Sequence, residues 1–147
     1  MRFRTVLFTL ATLLYTAALA AAYDHSGASY RELAEYHVGK GNEPVALAYY
    51  AKALAATPDD ALIYQSRGFY YLSLKKTDRA LEDFSRQISL RPTDPAGYLN
   101  RGMLRGSIGR DRDADADFAR ACELGSTDGC VMGKKSGDAA TPNRGGH

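Results

Sequence analysis

The sequence predicts an all-α chain, a solenoid of three helix–turn–helix units, and three observations carry that prediction. Between Gly27 and Asp128 the 147-residue chain repeats itself at a constant spacing of 34, with no insertion or deletion. Each period carries two sets of polar capping residues, each ahead of an apolar-periodic stretch, as two helices per unit require. Matched residue types also recur in register: Ala46, Ala80 and Ala114; Tyr30, Tyr64 and Tyr98; Tyr50, Phe84 and Phe118; and Ala34, Gly68 and Gly102. One packing scheme is therefore written three times.

The chain begins with a segment outside the repeats. Arg2 and Arg4 precede a 17-residue apolar or weakly polar run from Val6 to Ala22, and Ala18-Leu19-Ala20 and Ala20-Ala21-Ala22 offer small-x-small sites. This pattern is expected to be a secretory signal over 1–22, cleaved after Ala20 or Ala22. The alternative is an uncleaved anchor, since the run sits at the short edge of a spanning helix. No cysteine follows the run, which excludes a lipid-modified amino terminus. The expected location is secreted or periplasmic, with anchorage to the inner membrane through residues 6–22 as the alternative. Without Arg2 and Arg4, the 19 Lys and Arg fall to 17, equal to the 17 Asp and Glu. A nearly neutral chain gives no footprint for nucleic acid.

Three units follow, over 27–60, 61–94 and 95–128. Ser26 or Ser29, Asp59 or Asp60, and Asp94 with Pro95 behind it are the expected starts of the first helices. Asn42, Thr77 and Asp111 are the expected caps of the second helices, separated from the first by a short turn that makes the pair antiparallel. Pro58 and Pro92 close two units, and Ser126 stands where a third proline would be. The period, with its aromatic, small, aromatic, Ala, ring and Pro columns, resembles the tetratricopeptide repeat. The resemblance implies a right-handed α-solenoid in which each unit buries its apolar face on its neighbours. The small columns then mark close helix contacts and the rings fill the space around them, in one continuous apolar seam. The third unit departs from the pattern: Arg105 takes the column of Tyr71 and His37, and Arg101 follows Arg67 where Leu33 stood. Long stems that cover apolar surface with heads in water suit a solvated end.

After the third unit, residues 129–135 are expected to supply only a short capping stub. Residues 136–147 are expected to be a disordered tail, because from Gly133 onward no apolar residue exceeds Ala in size. Cys122 and Cys130, eight apart across a helix end and a tight turn, are a disulfide candidate in an exported chain, with free thiols and redox or metal chemistry as alternatives. Closing that loop contributes about 2.5 kcal/mol in the chain-entropy model. The cysteine segment is also similar to the staple of cysteine-rich Sel1-like repeat proteins, which implies the bridge but not their longer repeat.

No catalytic, cofactor or metal residues emerge. His25, His37 and His147 share no face, and Asp111, Asp113, Asp115 and Asp117 lack the glycine and terminal glutamate of a calcium loop, so capping and a solvated helix face account for them. No nucleophile and base stand at usable spacing, so no enzyme is expected. Function falls to the surface. The resemblance places the concave face on the first helices of the units, where Leu62, Phe69, Leu72, Leu99 and Met103 would form an apolar groove, with Arg31 and Gln65 orienting a partner. The family's carboxylate clamp of Lys and Asn is not reproduced: Arg31, Glu35, Ser66, Ala96 and Asn100 fall at its places, which disfavours a receptor for chaperone tails. The expected role is an exported adaptor that holds a protein or peptide segment. A membrane-tethered assembly subunit is the alternative, and the groove could instead be covered by the chain itself or by a second copy.

Overall fold

The computed structural model describes residues 26–139. The leader expected over 1–22 and the tail beyond 139 lie outside the described residues. The described residues form seven helices and no strand: α1 (Gly27–Gly39), α2 (Glu43–Ala56), α3 (Ala61–Ser73), α4 (Thr77–Leu90), α5 (Pro95–Ser107), α6 (Asp111–Glu123) and α7 (Thr127–Ala139). The first six pair as α1/α2, α3/α4 and α5/α6, and the pairs stack in chain order. This is the expected all-α solenoid.

The first helix of each pair starts at a side-chain cap. Ser26 Oγ accepts from Ser29 N at 3.3 Å, Asp60 Oδ1 from Leu62 N at 2.9 Å, and Asp94 Oδ1 from Ala96 N at 2.9 Å. Each bond satisfies a donor that the helix itself leaves open. The second helices start differently, and here the expectation fails. Thr77 and Asp111 are already the first residues of their helices, and the flanking Asn42, Lys76 and Arg110 make no side-chain capping bond.

What fixes these starts is the end of the preceding helix. Gly41 N donates to Val38 O and Asn42 N to His37 O, and the same pair of bonds recurs from Lys75 and Lys76 and from Gly109 and Arg110. This is the Schellman closure, which needs a left-handed residue at its bend. Gly41 (φ 69°), Gly109 (φ 77°) and Lys75 (φ 57°) supply it, Lys75 being the one described non-glycine residue at positive φ.

A fourth copy of this turn lies between α6 and α7. Gly125 (φ 93°) takes the bend, with Gly125 N donating to Cys122 O and Ser126 N to Ala121 O. The chain thus uses its within-unit turn where a between-unit turn would stand, and α7 folds back along α6 as a hairpin. Its 13 residues exceed the stub expected over 129–135 and include 136–139, expected as the start of a disordered tail. At its start α7 packs on α6 by the close approach of a small residue. A Cβ on Gly129 would lie 2.7 Å from Ala121 Cβ and 2.9 Å from Cys122 N. Ser126 Oγ caps the helix by accepting from Gly129 N at 3.1 Å, and the Cys122–Cys130 disulfide ties α7 to α6 with its Cα atoms 4.6 Å apart.

The repeat columns meet one another across each pair. A Cβ on Gly68 would sit 2.8 Å from Phe84 Cε1, and one on Gly102 would sit 2.8 Å from Phe118 Cε1, so the small column exists to admit the ring column. Ala46, Ala80 and Ala114 are buried beside them. Among the described residues, the apolar core includes two clusters shared between successive units. Ala34, Ala46, Tyr50 and Ala53 pack with Ile63 and Tyr70, and Ala80 and Phe84 pack with Leu104. Each cluster crosses a unit boundary, which is why one unit alone would leave its face exposed. The Tyr64 and Tyr98 rings are only half-buried, and their hydroxyls donate to Pro58 O at 3.0 Å and Pro92 O at 3.3 Å. The tyrosine and proline columns are thus coupled: each ring latches the turn that precedes it.

A charged column lies inside the pairs. Arg67 Nε and Nη2 donate to Asp83 Oδ2 and Oδ1 at 2.9 and 2.7 Å, and 34 residues on Arg101 holds Asp117 at 3.0 and 2.8 Å. Asp83 and Asp117 are both only 3% exposed. The expectation of solvated arginine heads and a solvated aspartate face is therefore corrected for Arg101, Arg105 and Asp117. Arg105 Nη1 also donates to Asp117 Oδ2 at 2.7 Å, and Arg101 Nη1 reaches back to Ser85 Oγ at 3.1 Å, joining units two and three. Bidentate geometry explains arginine here, because only its planar fork can meet both carboxylate oxygens at once.

Candidate functional site: the inner face of the first helices

Because the small residues of α3 and α5 lie against the rings of α4 and α6, the opposite sides of these helices face away from their partners. The period places Glu35, Phe69 and Met103 in one column, one residue past the small column and so about 100° round the helix from it, on the flank of the partner contact. Phe69 and Met103 are 48% and 49% exposed, and Leu62 is 42% exposed. Phe69 is nevertheless held, since its ring meets Phe84 edge-on with centroids 5.3 Å apart. Large apolar groups exposed together in a patch, rather than singly, are the informative exception on a protein surface.

The remaining expected groove residues divide. Leu72 packs on the Ala80, Phe84 and Leu104 cluster and is half-buried, so it is more wall than contact. Gln65 and Leu99 are half-buried. Arg31 does not stand free to orient a partner: its Nη1 donates to Glu35 Oε1 at 2.6 Å. Leu62, Phe69 and Met103 thus remain the exposed apolar members.

Between α1 and α3 the face deepens into an open cleft of about 320 Å³, lined by Glu35, Val38, Tyr50, Ser66, Phe69, Tyr70 and Ser73. Ser66 Oγ donates to Glu35 Oε1 at 2.8 Å, across the boundary between units one and two. Tyr50 lies almost wholly buried at the base of the cleft. Its phenol is pushed up to about 12, first by burial and next by the Glu35 carboxylate, whose effect exceeds the opposing one of Arg31. Sequence reasoning placed Tyr50 in the core, which is correct, but missed that it and Tyr70 also line this cleft. The available sign was the Glu35 column itself, which puts a carboxylate in register with two apolar groups.

Among the described residues no group of three or more His, Cys, Asp or Glu could hold a metal ion, and no helix is long and apolar enough to cross a membrane. His37 stacks on Tyr49 with ring centroids 5.4 Å apart, while His25 and His147 lie outside the described residues.

Comparison with known proteins agrees with this architecture. Residues 61–94, the second unit, match the tetratricopeptide repeat family. No curated protein matches the sequence. Among solved structures, the first TPR domain of Spaghetti (RPAP3), bound to the HSP90 peptide SRMEEVD, is similar at 23% identity with a TM-score of 0.66, over 77% of this chain and 91% of that one. The TPR domain of Arabidopsis OM64 is similar at 23% identity and a TM-score of 0.66, over 77% of this chain and 95% of that one. MamA is similar at 24% identity and a TM-score of 0.64, over 70% of this chain and 61% of that one. At these identities the likeness is one of fold.

Proposed function

We propose that this chain, whose second unit is a tetratricopeptide repeat and whose fold is that of tetratricopeptide solenoids, is a non-enzymatic adaptor that holds a protein segment on its inner face. The observation that carries this reading is the exposure of Leu62, Phe69 and Met103 on the first helices of units two and three, where packing within the pair covers them only in part. A segment laid along them would bury apolar surface at about 25 cal/mol per Å², which suits both helical and extended ligands. The RPAP3 domain of the same fold is bound to a peptide, which supports a peptide-sized ligand. Among the places where the family's clamp for acidic tails has Lys and Asn, this chain has the carboxylate of Glu35, which disfavours an acidic tail as the ligand. The proposed setting is the exported, periplasmic side, with the leader removed after Ala20 or Ala22. A tethered assembly subunit, anchored by residues 6–22, is the second reading, favoured only by the apolar run from Val6 to Ala22.

The test is affinity capture from the envelope fraction with the wild-type protein and with Phe69→Asp/Met103→Asp, after circular dichroism shows the variant to be helical. The wild type retains a defined partner that the variant loses. An unchanged captured set removes the groove from the function. Amino-terminal sequencing of the natural protein separates the two settings, since a start at Ala21 or Tyr23 excludes the anchor.

A further inference from the structure

We infer that the cleft between α1 and α3 receives a lysine or arginine side chain of the bound segment, with Glu35 as its counter-charge. The inference rests on the groove reading above and names the chemistry of its ligand. Four observations lead to it. Glu35 accepts from Arg31 and Ser66 through the same oxygen, Oε1, and no donor among the described residues reaches Oε2. That second oxygen belongs to a side chain 43% exposed and on the wall of the cleft, so it keeps acceptor capacity where a ligand would enter.

The second observation is the local field. The Glu35 carboxylate acts on the Tyr50 phenol more strongly than the Arg31 guanidinium does, so the ion pair with Arg31 does not by itself cancel the carboxylate at the cleft floor. Third, the walls are aromatic: Tyr50, Phe69 and Tyr70 line the same space, and ring faces attract a cation that has left part of its water behind. Fourth, the charge stands alone in its column. Phe69 and Met103 follow Glu35 at the same register, so a segment that covers both apolar groups brings one of its side chains to the carboxylate. An acidic side chain placed there would meet the carboxylate, and a purely apolar one would strip water from Oε2 without replacing it.

Acetylated nonapeptide pools test this, with Lys, Arg, Met or Glu fixed at the centre and Leu, Phe, Ala and Gln mixed at the other positions. Each pool is passed over the immobilised protein and retention is quantified by mass spectrometry. The Lys and Arg pools are expected to be retained about tenfold over the Glu pool, the scale of one partly desolvated charge contact. Glu35→Gln removes that preference while apolar retention persists, Glu35→Asp keeps part of it, and Glu35→Lys turns it toward the Glu pool. Equal retention of all pools, sensitive to Phe69→Asp, overturns the cation inference and leaves the groove standing. Retention of no pool overturns both.

Discussion

Unit one supplies a control for the buried arginine–aspartate column of units two and three. At the positions of Arg67 and Asp83 it carries Leu33 and Tyr49, and Tyr49 packs there on Tyr30 and His37. Their counterparts Tyr64 and Tyr71 already flank Arg67, with its guanidinium 5.8 and 5.6 Å from the ring centroids. Arg67→Leu alone leaves a carboxylate 3% exposed with both of its 2.7–2.9 Å bonds gone, and is expected to cost about 3–5 kcal/mol. Asp83→Tyr alone leaves an arginine side chain 21% exposed that can turn toward water, at about 1–3 kcal/mol. The double substitution rebuilds the pairing of unit one and is expected within about 1 kcal/mol of wild type, a coupling of roughly 3 kcal/mol or more. Urea unfolding followed at 222 nm reads all four proteins. Burial already holds the Asp83 carboxyl above its ordinary value against the pull of Arg67, and removing Arg67 raises it further. With the folded value above the unfolded one, the penalty of Arg67→Leu is full above the folded pKa and fades as pH falls through it. Single costs below about 1 kcal/mol, or costs that simply add in the double variant, would refute the buried-pair reasoning.

Three further expectations follow from the same structure. Lys75→Gly relieves the one described left-handed non-glycine residue, at φ 57°, and should stabilise by about 1 kcal/mol, read as a rise of a few degrees in Tm; no rise means that the bend carries no strain. Reducing Cys122–Cys130 should cost about 2.5 kcal/mol and speed amide exchange in α7 and late α6 while α1 and α2 stay protected; two free sulfhydryls in the denatured, unreduced protein would remove the bridge altogether. Because the Tyr50 phenol sits at about 12 when folded and near 10 when unfolded, its contribution is intact below pH 10 and is lost as pH rises through 12. Tyr50→Phe should flatten that alkaline loss, and the wild-type-minus-variant absorbance at 295 nm should titrate near 12; a midpoint at 10 contradicts the burial.

The period made the helices legible because a strict spacing is a direct record of a packing scheme used three times. The first-helix caps were readable too, since Ser26, Asp60 and Asp94 act through their own side chains. The second-helix starts were not, because a Schellman closure is a backbone event, and Lys75 hides one of its bends behind a residue with no preference for it. Arg67 and Asp83 stand 16 apart, a spacing that means nothing along one helix and brings them together only across a hairpin. Their echo in Arg101 and Asp117 was present in the period but was read as surface charge. Phe69 and Met103 are exposed, whereas Leu72 is half-buried, because the stacking of Leu104 beside it depends on how units meet. Glu35 was visible as a departure from the clamp, and its role in a cleft required Ser66 and Tyr50 to be placed around it.

The groove is tested most directly by photo-crosslinking from single benzophenone residues placed at Phe69, at Met103 and, as the outer-face control, at the exposed Glu82 of α4. In cells that express the protein at its natural level, positions 69 and 103 should give the same adduct, mapping by mass spectrometry to one segment of one protein with a lysine or arginine near its apolar residues, and position 82 should give none. Adducts from position 82 alone, or unrelated adducts from all three positions, would contradict binding on the inner face.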